Sequence, residues 1–458
     1  MSIVVSKSSP VVVRPSSEPM KTTNSTMKLS SFDTGLVNRA ATALLVFEHP
    51  LHDAAETIKA ALSQALVFYY PIAGRIVAAG VDDDDDDFHI HCTGEGVAFV
   101  AASADCALNE ANLSGRRPPP PPPLDELAAY YPAEGCGPTD PLLLMQVTEF
   151  SCGGFVVGVS WSHGIADGTG MAQFLTAVGE LARGVSPPSV AAPVRWDASL
   201  PDLPPSVAAL EHLAMSLEPL HLARHGVTVP SSLISHIKSR YLERSNGGGG
   251  EFCTTFEAVA AVLWRCRTRA IISVSGDDGP ESLALLSFPA CVRGHVGAMD
   301  GYYGNCITQQ LVVATSGAVA SADVADLIEM IKRAKEEIPS QLKDNEAGYD
   351  HLLQAIDLEQ IGKLQYNALI VSTWRNLGFE MADFGAGTPE RVMCYAKPMQ
   401  TLPLCVMTPP CKGDGDGHDN INVFTACVKE EHADAFLKEL ASFTRTDRRG
   451  WRRSNQDK

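Results

Sequence analysis

Residues 155–181 read FVVGVSWSHGIADGTGMAQFLTAVGEL, and the changes of pattern inside this stretch set the class of fold. Phe155 to Trp161 is an apolar, Val-rich run of strand length, and it follows a similar run, Leu142 to Phe150, across Ser151-Cys152-Gly153-Gly154. Two such runs separated by a short turn read as adjacent, buried β-strands. Gly164 to Gly170 then breaks the pattern, and Met171, Phe174, Leu175, Val178 and Leu181 fall at helical spacing before Gly184 ends the helix. His163 therefore stands on the loop between a buried strand and a helix.

The same alternation recurs on both sides. Ala54 to Phe68, with Asp53 as N-cap, places Ile58, Leu62, Ala65 and Leu66 on one helical face, and Tyr69-Tyr70-Pro71 ends it. Phe88 to Cys92 and Val97 to Ala101 flank Thr93-Gly94-Glu95-Gly96 and read as a β-hairpin. Farther on come a helix over Phe256 to Arg269, strands over Leu283 to Phe288 and Cys306 to Val313, and a helix over Asp323 to Ile338. Strands over Ala368 to Ser372 and Ile421 to Val428 and a last helix over Glu431 to Phe443 complete the pattern. Interleaved strands and helices in both halves make the class α/β. Ser186 to Pro205 carries six prolines and little periodicity. We therefore expect an N-terminal domain over 1–195, a crossover over 196–230 and a C-terminal domain over 231–458, a division that suits 458 residues.

Composition narrows the function classes. A formal charge of −18 opposes binding to nucleic acid or to an anionic membrane, both of which need a basic surface, although a local Arg or Lys cluster can still hold a phosphate. Lys7, Pro10 and Arg14 interrupt the N-terminal valines, and nowhere do ~18 uncharged apolar residues run together, so we expect a cytoplasmic protein without a signal peptide or membrane span. Twelve cysteines include no C-x-x-C pair and read as reduced, mostly buried, small apolar residues. Asp82 to Asp87, Pro118 to Pro123 and Gly247 to Gly250 read as exposed loops, and Asp414 to Asp419 as a polar turn whose spacing fails that of an EF-hand.

The chemistry concentrates in Ser162-His163-Gly164-Ile165-Ala166-Asp167-Gly168. A histidine at the end of a buried strand projects an imidazole into a cleft, and its ordinary pKa of ~6.5 suits a general base. Asp167 lies four residues on and can orient it or brace the loop. Alone, this spacing is also that of a structural histidine, and no third ligand at close spacing completes a zinc site. A second motif adds to it: Asp383-Phe384-Gly385-Ala386-Gly387, where two glycines suit a tight turn.

Together the two motifs resemble the BAHD acyltransferases of plants, whose marks are H-x-x-x-D-G near mid-chain and D-F-G-W-G later. Tyr69-Tyr70-Pro71-Ile72-Ala73-Gly74-Arg75 and Gly301-Tyr302-Tyr303-Gly304-Asn305 are similar to family segments as well, so the resemblance runs along the whole chain. It implies two similar-sized mixed-sheet domains of the chloramphenicol-acetyltransferase type with the active site at their interface. It also implies that His163 deprotonates an alcohol or amine acceptor, which attacks the thioester of an acyl-CoA directly. Acyl-CoA would then be a co-substrate of a monomer with no bound cofactor and no metal. By the same resemblance Asp167 turns away from substrate and pairs with an arginine, for which Arg293 in Cys291-Val292-Arg293-Gly294 is the candidate, while Asp383, Gly385 and Gly387 form a structural turn remote from the chemistry. Ala386 departs from the family's tryptophan. Members acting on shikimate look to have an arginine where this chain has Asn376, with Arg375 one residue away, which speaks against a carboxylate acceptor. The N-terminal half is similar to members using benzoyl or other aromatic donors, with an amine such as tryptamine or an alcohol as acceptor. Two other readings stay open: a thioester hydrolase, for which no G-x-S-x-G is present, and a catalytically altered ligand-binding relative.

Overall fold

A computed structural model describes residues 3–17, 26–78, 88–114, 122–131, 136–204, 217–245, 252–274, 279–343, 361–397, 399–412 and 420–454. The loops read at Asp82 to Asp87, Gly247 to Gly250 and Asp414 to Asp419, and most of the proline run, lie outside these residues.

Two large mixed sheets organise the chain. In the first, strands follow the order Val5–Lys7, Val97–Ala104, Leu143–Phe150, Phe155–Ser162, Ala40–Phe47 and Arg391–Tyr395. Leu143–Phe150 and Phe155–Ser162 are antiparallel neighbours, and Val97–Ala104 runs parallel to the former. Every residue of Phe155–Ser162 is buried. Val157, Val159 and Trp161 share one core with Leu62, Leu66 and Phe174 of helices Ala54–Phe68 and Gly168–Ala182, while Val156 joins a smaller core with Leu44, Val46 and Leu127 on the opposite face. Burial on both faces explains the unbroken apolar run.

In the second sheet the order is Ala223–Val229, Ile421–Val428, Leu404–Thr408, Ala368–Thr373, Leu283–Cys291 and Ile307–Thr315. Helices Thr255–Val274, Val324–Glu336 and Glu430–Ser454 lie on one face, over a core that takes Leu286, Phe288, Leu369, Val371, Cys405 and Met407. Alternate residues face the other way: Val406, Phe424 and Ala426 belong to the core of the first sheet. The period-2 alternation of side chains thus joins the two layers.

Arg391–Tyr395 returns from the second half to pair antiparallel with Ala40–Phe47, from Arg391 opposite Val46 to Tyr395 opposite Thr42. The expected hairpin does not form. Phe88–His91 pairs instead with Arg75–Ala78 and Thr26–Lys28 in a three-stranded sheet, whereas Val97–Ala104 enters the large sheet. Gly96 is the cause: at φ +96 its amide donates to Ala73 O at 2.9 Å, and a Cβ there would stand 2.3 Å from Val13 O, so the segment makes a corner between sheets. Asp53 does occupy the N-cap position of its helix, but at φ 47 and without a side-chain cap bond. Among the described residues no helix is long and apolar enough to cross a membrane.

Candidate active site

His163 directly follows the buried strand. Its amide donates to Arg39 O at 2.7 Å, Ser162 Oγ donates to Val37 O at 3.2 Å, and Arg195 Nη2 donates to Gly164 O at 2.9 Å. Trp161 Nε1 holds Ala166 O at 3.0 Å from below. The loop backbone is therefore pinned on three sides, while the His163 ring is only partly buried.

The ring itself meets Asn305, with His163 Nδ1 and Asn305 Oδ1 3.1 Å apart. Asn305 Nδ2 donates to His163 O at 2.7 Å and to Asp33 Oδ1 at 2.8 Å. Asp33 is fully buried; Ser30 donates to its Oδ2 from N and Oγ at 2.9 and 2.7 Å, and Arg195 Nη2 lies 3.1 Å from the same oxygen. Burial pushes the His163 pKa below the ordinary histidine value, and Arg39 adds to this, against opposing pulls from Asp167, from the residue's own backbone and from Asn305. The ring is thus biased to the neutral, basic form at neutral pH.

Asp167 does not touch the ring. It caps helix Gly168–Ala182, its Oδ1 accepting from Gly170 N at 3.0 Å, and Oδ2 accepts from Cys306 N at 3.1 Å. Arg293 closes a two-pronged pair on it, Nη1 to Oδ2 at 2.7 Å and Nη2 to Oδ1 at 2.9 Å, and Nη2 also donates to Gly304 O at 2.8 Å. One carboxylate therefore joins the His163 loop, the start of the helix and the segment carrying Asn305. Close backbone approach seals the joint: a Cβ on Gly170 would stand 1.8 Å from Tyr303 O. Gly170→Ala is expected to displace the Tyr303 to Asn305 segment and to lower both melting temperature and turnover, the overpacking cost being ~1–3 kcal/mol or more. A thermal melt beside a rate assay checks this, and unchanged values for both would show that the two segments separate freely.

The second motif packs behind the same helix. A Cβ on Gly179 would lie 2.4 Å from Asp383 O. Asp383 Oδ1 accepts from Gly385 N at 2.8 Å, Gly385 and Gly387 hold φ +113 and +82, and Phe384 packs edge-on to Phe47 at 5.4 Å. Ala386 is 8 % exposed within the first core, so Ala386→Trp should alter stability more than rate. A gain in turnover at unchanged melting temperature would contradict that. Arg375 is half-buried next to exposed Asn376, which takes φ +65.

Structure thus brings His163, Asp167 and Arg293 into one assembly and sets Asp383, Gly385 and Gly387 behind it. Asn305 was legible only as part of a family segment, and Asp33 and Arg195 carried no signal of their own: Asp33 sits in the short helix Ser31–Thr34, and Arg195 in the proline-rich stretch Ser186 to Pro205. Among the described residues no group of three or more His, Cys, Asp or Glu side chains stands together as a metal-binding set. The arrangement offers one anchored, neutral imidazole for moving a proton, with its charged neighbours held by partners of their own.

Residues 3–441 match the model of a transferase family described as "Transferase family". Among curated proteins, the chain is 45 % identical to "Acyl transferase 15" of Oryza sativa subsp. japonica, covering 97 % of this chain and 100 % of that one. It is 30 % identical to "Myricetin 3-O-glucosyl 1,2-rhamnoside 6'-O-caffeoyltransferase AT2" of Crocosmia x crocosmiiflora, over 97 % and 100 % of the two chains. Among solved structures, F. sporotrichioides TRI101 complexed with coenzyme A and T-2 superposes with a TM-score of 0.67 at 16 % identity, covering 90 % of this chain and 97 % of the other.

Proposed function

The chain belongs to the plant BAHD transferase family, whose members are acyl-CoA-dependent acyltransferases, and from that premise we propose that it moves an aromatic acyl group from coenzyme A to a small alcohol or amine with His163 as general base. The carrying observation is the state of His163: backbone fixed, Nδ1 engaged by Asn305, and Nε2 without a protein partner among the described residues. His163 takes the acceptor's O–H or N–H proton as the acceptor heteroatom attacks the thioester carbonyl. The tetrahedral adduct then expels the coenzyme A thiolate, which the imidazolium reprotonates, so the ring ends as it began. No covalent acyl-enzyme is required.

Asp167 acts as a brace in this reading, since its four contacts all serve the loop, the helix start and the Asn305 segment. An aromatic donor, hydroxycinnamoyl or benzoyl, is favoured by the likeness to a caffeoyltransferase, and Asn376 in place of an arginine disfavours a carboxylate acceptor. Alcohols and amines such as tryptamine fit the same base. A matrix of caffeoyl-, coumaroyl-, benzoyl- and acetyl-CoA against aromatic alcohols and arylalkylamines, read by mass spectrometry of product, tests this. Ester or amide from an aromatic donor is the expected result, and exclusive use of acetyl-CoA would overturn the donor assignment.

A further inference from the structure

The side-chain amide of Asn305 has only one workable sense. Its nitrogen faces two acceptors, Asp33 Oδ1 at 2.8 Å and the His163 carbonyl at 2.7 Å. Turned over, it would set its oxygen against both, leaving two buried repulsive contacts in place of two hydrogen bonds. Oδ1 is therefore the atom opposite His163 Nδ1, and an amide oxygen can only accept. For that contact to be a hydrogen bond, Nδ1 must carry the ring proton.

We propose that Asn305 and Asp33 are positioning residues that fix the tautomer of His163, keeping the proton on Nδ1 and leaving the Nε2 lone pair free to act as the base. This rests on His163 being the base. Asp33 sets the sense of Asn305: fully buried, it receives Asn305 N at 3.2 Å as well as Nδ2, while Ser30 and Arg195 hold its other oxygen. With Ser30 and Arg195 donating to one oxygen and Asn305 N to the other, Asp33 presents an acceptor to Asn305 and can take only its nitrogen side. The line Arg195, Asp33, Asn305, His163 thus converts a buried ion pair into a neutral acceptor at the ring. A carboxylate in place of Asn305 would orient the ring equally well but would favour the imidazolium. The other charged groups acting on the ring are Asp167 and Arg39, and the first of these is already engaged by Arg293.

Tautomer and kinetics can be read separately. In the full-length protein labelled with ¹⁵N-histidine, with His163→Gln used to assign the ring, His163 is expected to show a protonated Nδ1 and an unprotonated Nε2 at pH 7.5. A protonated Nε2 overturns the proposal, and this measurement needs no variant of the network to fold. Asn305→Ala should lower kcat roughly tenfold or more, as a share of the ~10² to 10⁴ that a general base supplies, with KM for acyl-CoA little changed. Asn305→Asp should move the acid limb of the kcat/KM profile to higher pH, a shift that a merely structural role would not produce; an unmoved limb in a folded variant counts against the proposal. Asp33→Asn, which weakens one of the two acceptors that hold the Asn305 amide while the His163 carbonyl remains, should diminish the Nδ1–H signature although residue 33 does not touch the ring. If His163→Ala stays active, the base assignment itself has failed. If His163→Ala is inactive and the wild-type ring carries its proton on Nε2, only the tautomer inference has failed.

Discussion

His163→Ala is expected to lower kcat by ~10² to 10⁴ while leaving acyl-CoA affinity and melting temperature close to those of the parent. The reason is geometric. The loop is held by backbone bonds from His163 N, Gly164 O and Ala166 O and by Ser162 Oγ, none of which needs the imidazole. What is removed is a base, with its contacts to Asn305 Oδ1 and to the residue's own backbone as the structural loss. The pH profile of the parent gives a matching sign. With its pKa held below ~6.5 by burial, the ring is already deprotonated at neutral pH, so kcat/KM should be flat near pH 7 and fall only as pH drops below the ordinary histidine value. Activity of His163→Ala within tenfold of the parent would remove His163 from the mechanism.

Loss of the Asp167 and Arg293 pair should act differently, on folding as well as rate. Their side chains are 3 % and 18 % exposed, so truncating one leaves a largely desolvated charge without its partner, a situation that costs ~3 to 5 kcal/mol for a fully buried pair. Residual solvent at Arg293 places the expected figure toward the lower end. Asp167→Ala also strips the helix cap to Gly170 N and the bond from Cys306 N, so it should do more harm than Arg293→Ala. Asp167→Asn retains one acceptor oxygen for the cap and should melt higher than Asp167→Ala. The double variant should be no less stable than Asp167→Ala alone, because the charge left behind in the single variant is then absent. Melting temperatures of the set decide it: strictly additive losses would show that the two residues do not stabilise each other.

How much of this could be read from the chain follows from where each signal lies. Phe155–Ser162 and Gly168–Ala182 were legible because one is buried on both faces and the other over a broad face that carries its apolar residues at helical spacing, so local pattern carries the information. Arg391–Tyr395, though buried throughout, was not read: a strand of five residues has too little pattern, and its partner Ala40–Phe47 lies near the other end of the chain. The false hairpin arose because glycines at 94 and 96 satisfy a turn and a corner equally well, and only the approach to Val13 O distinguishes them. Asp167 with Arg293 came from family resemblance rather than from spacing. The positioning of His163 by Asn305 and Asp33 is a contact among three distant segments, of which sequence periodicity keeps no trace.

The central claim, direct acyl transfer with His163 as base, is tested most directly by thiol release on rapid mixing of the enzyme with an aromatic acyl-CoA, first alone and then with an acceptor that gives product. Direct attack predicts free coenzyme A only when acceptor is present, in a one-to-one ratio with ester or amide. A burst of one thiol per enzyme without acceptor would reveal an acyl-enzyme, and sustained release without acceptor would reveal a hydrolase; either result contradicts the account.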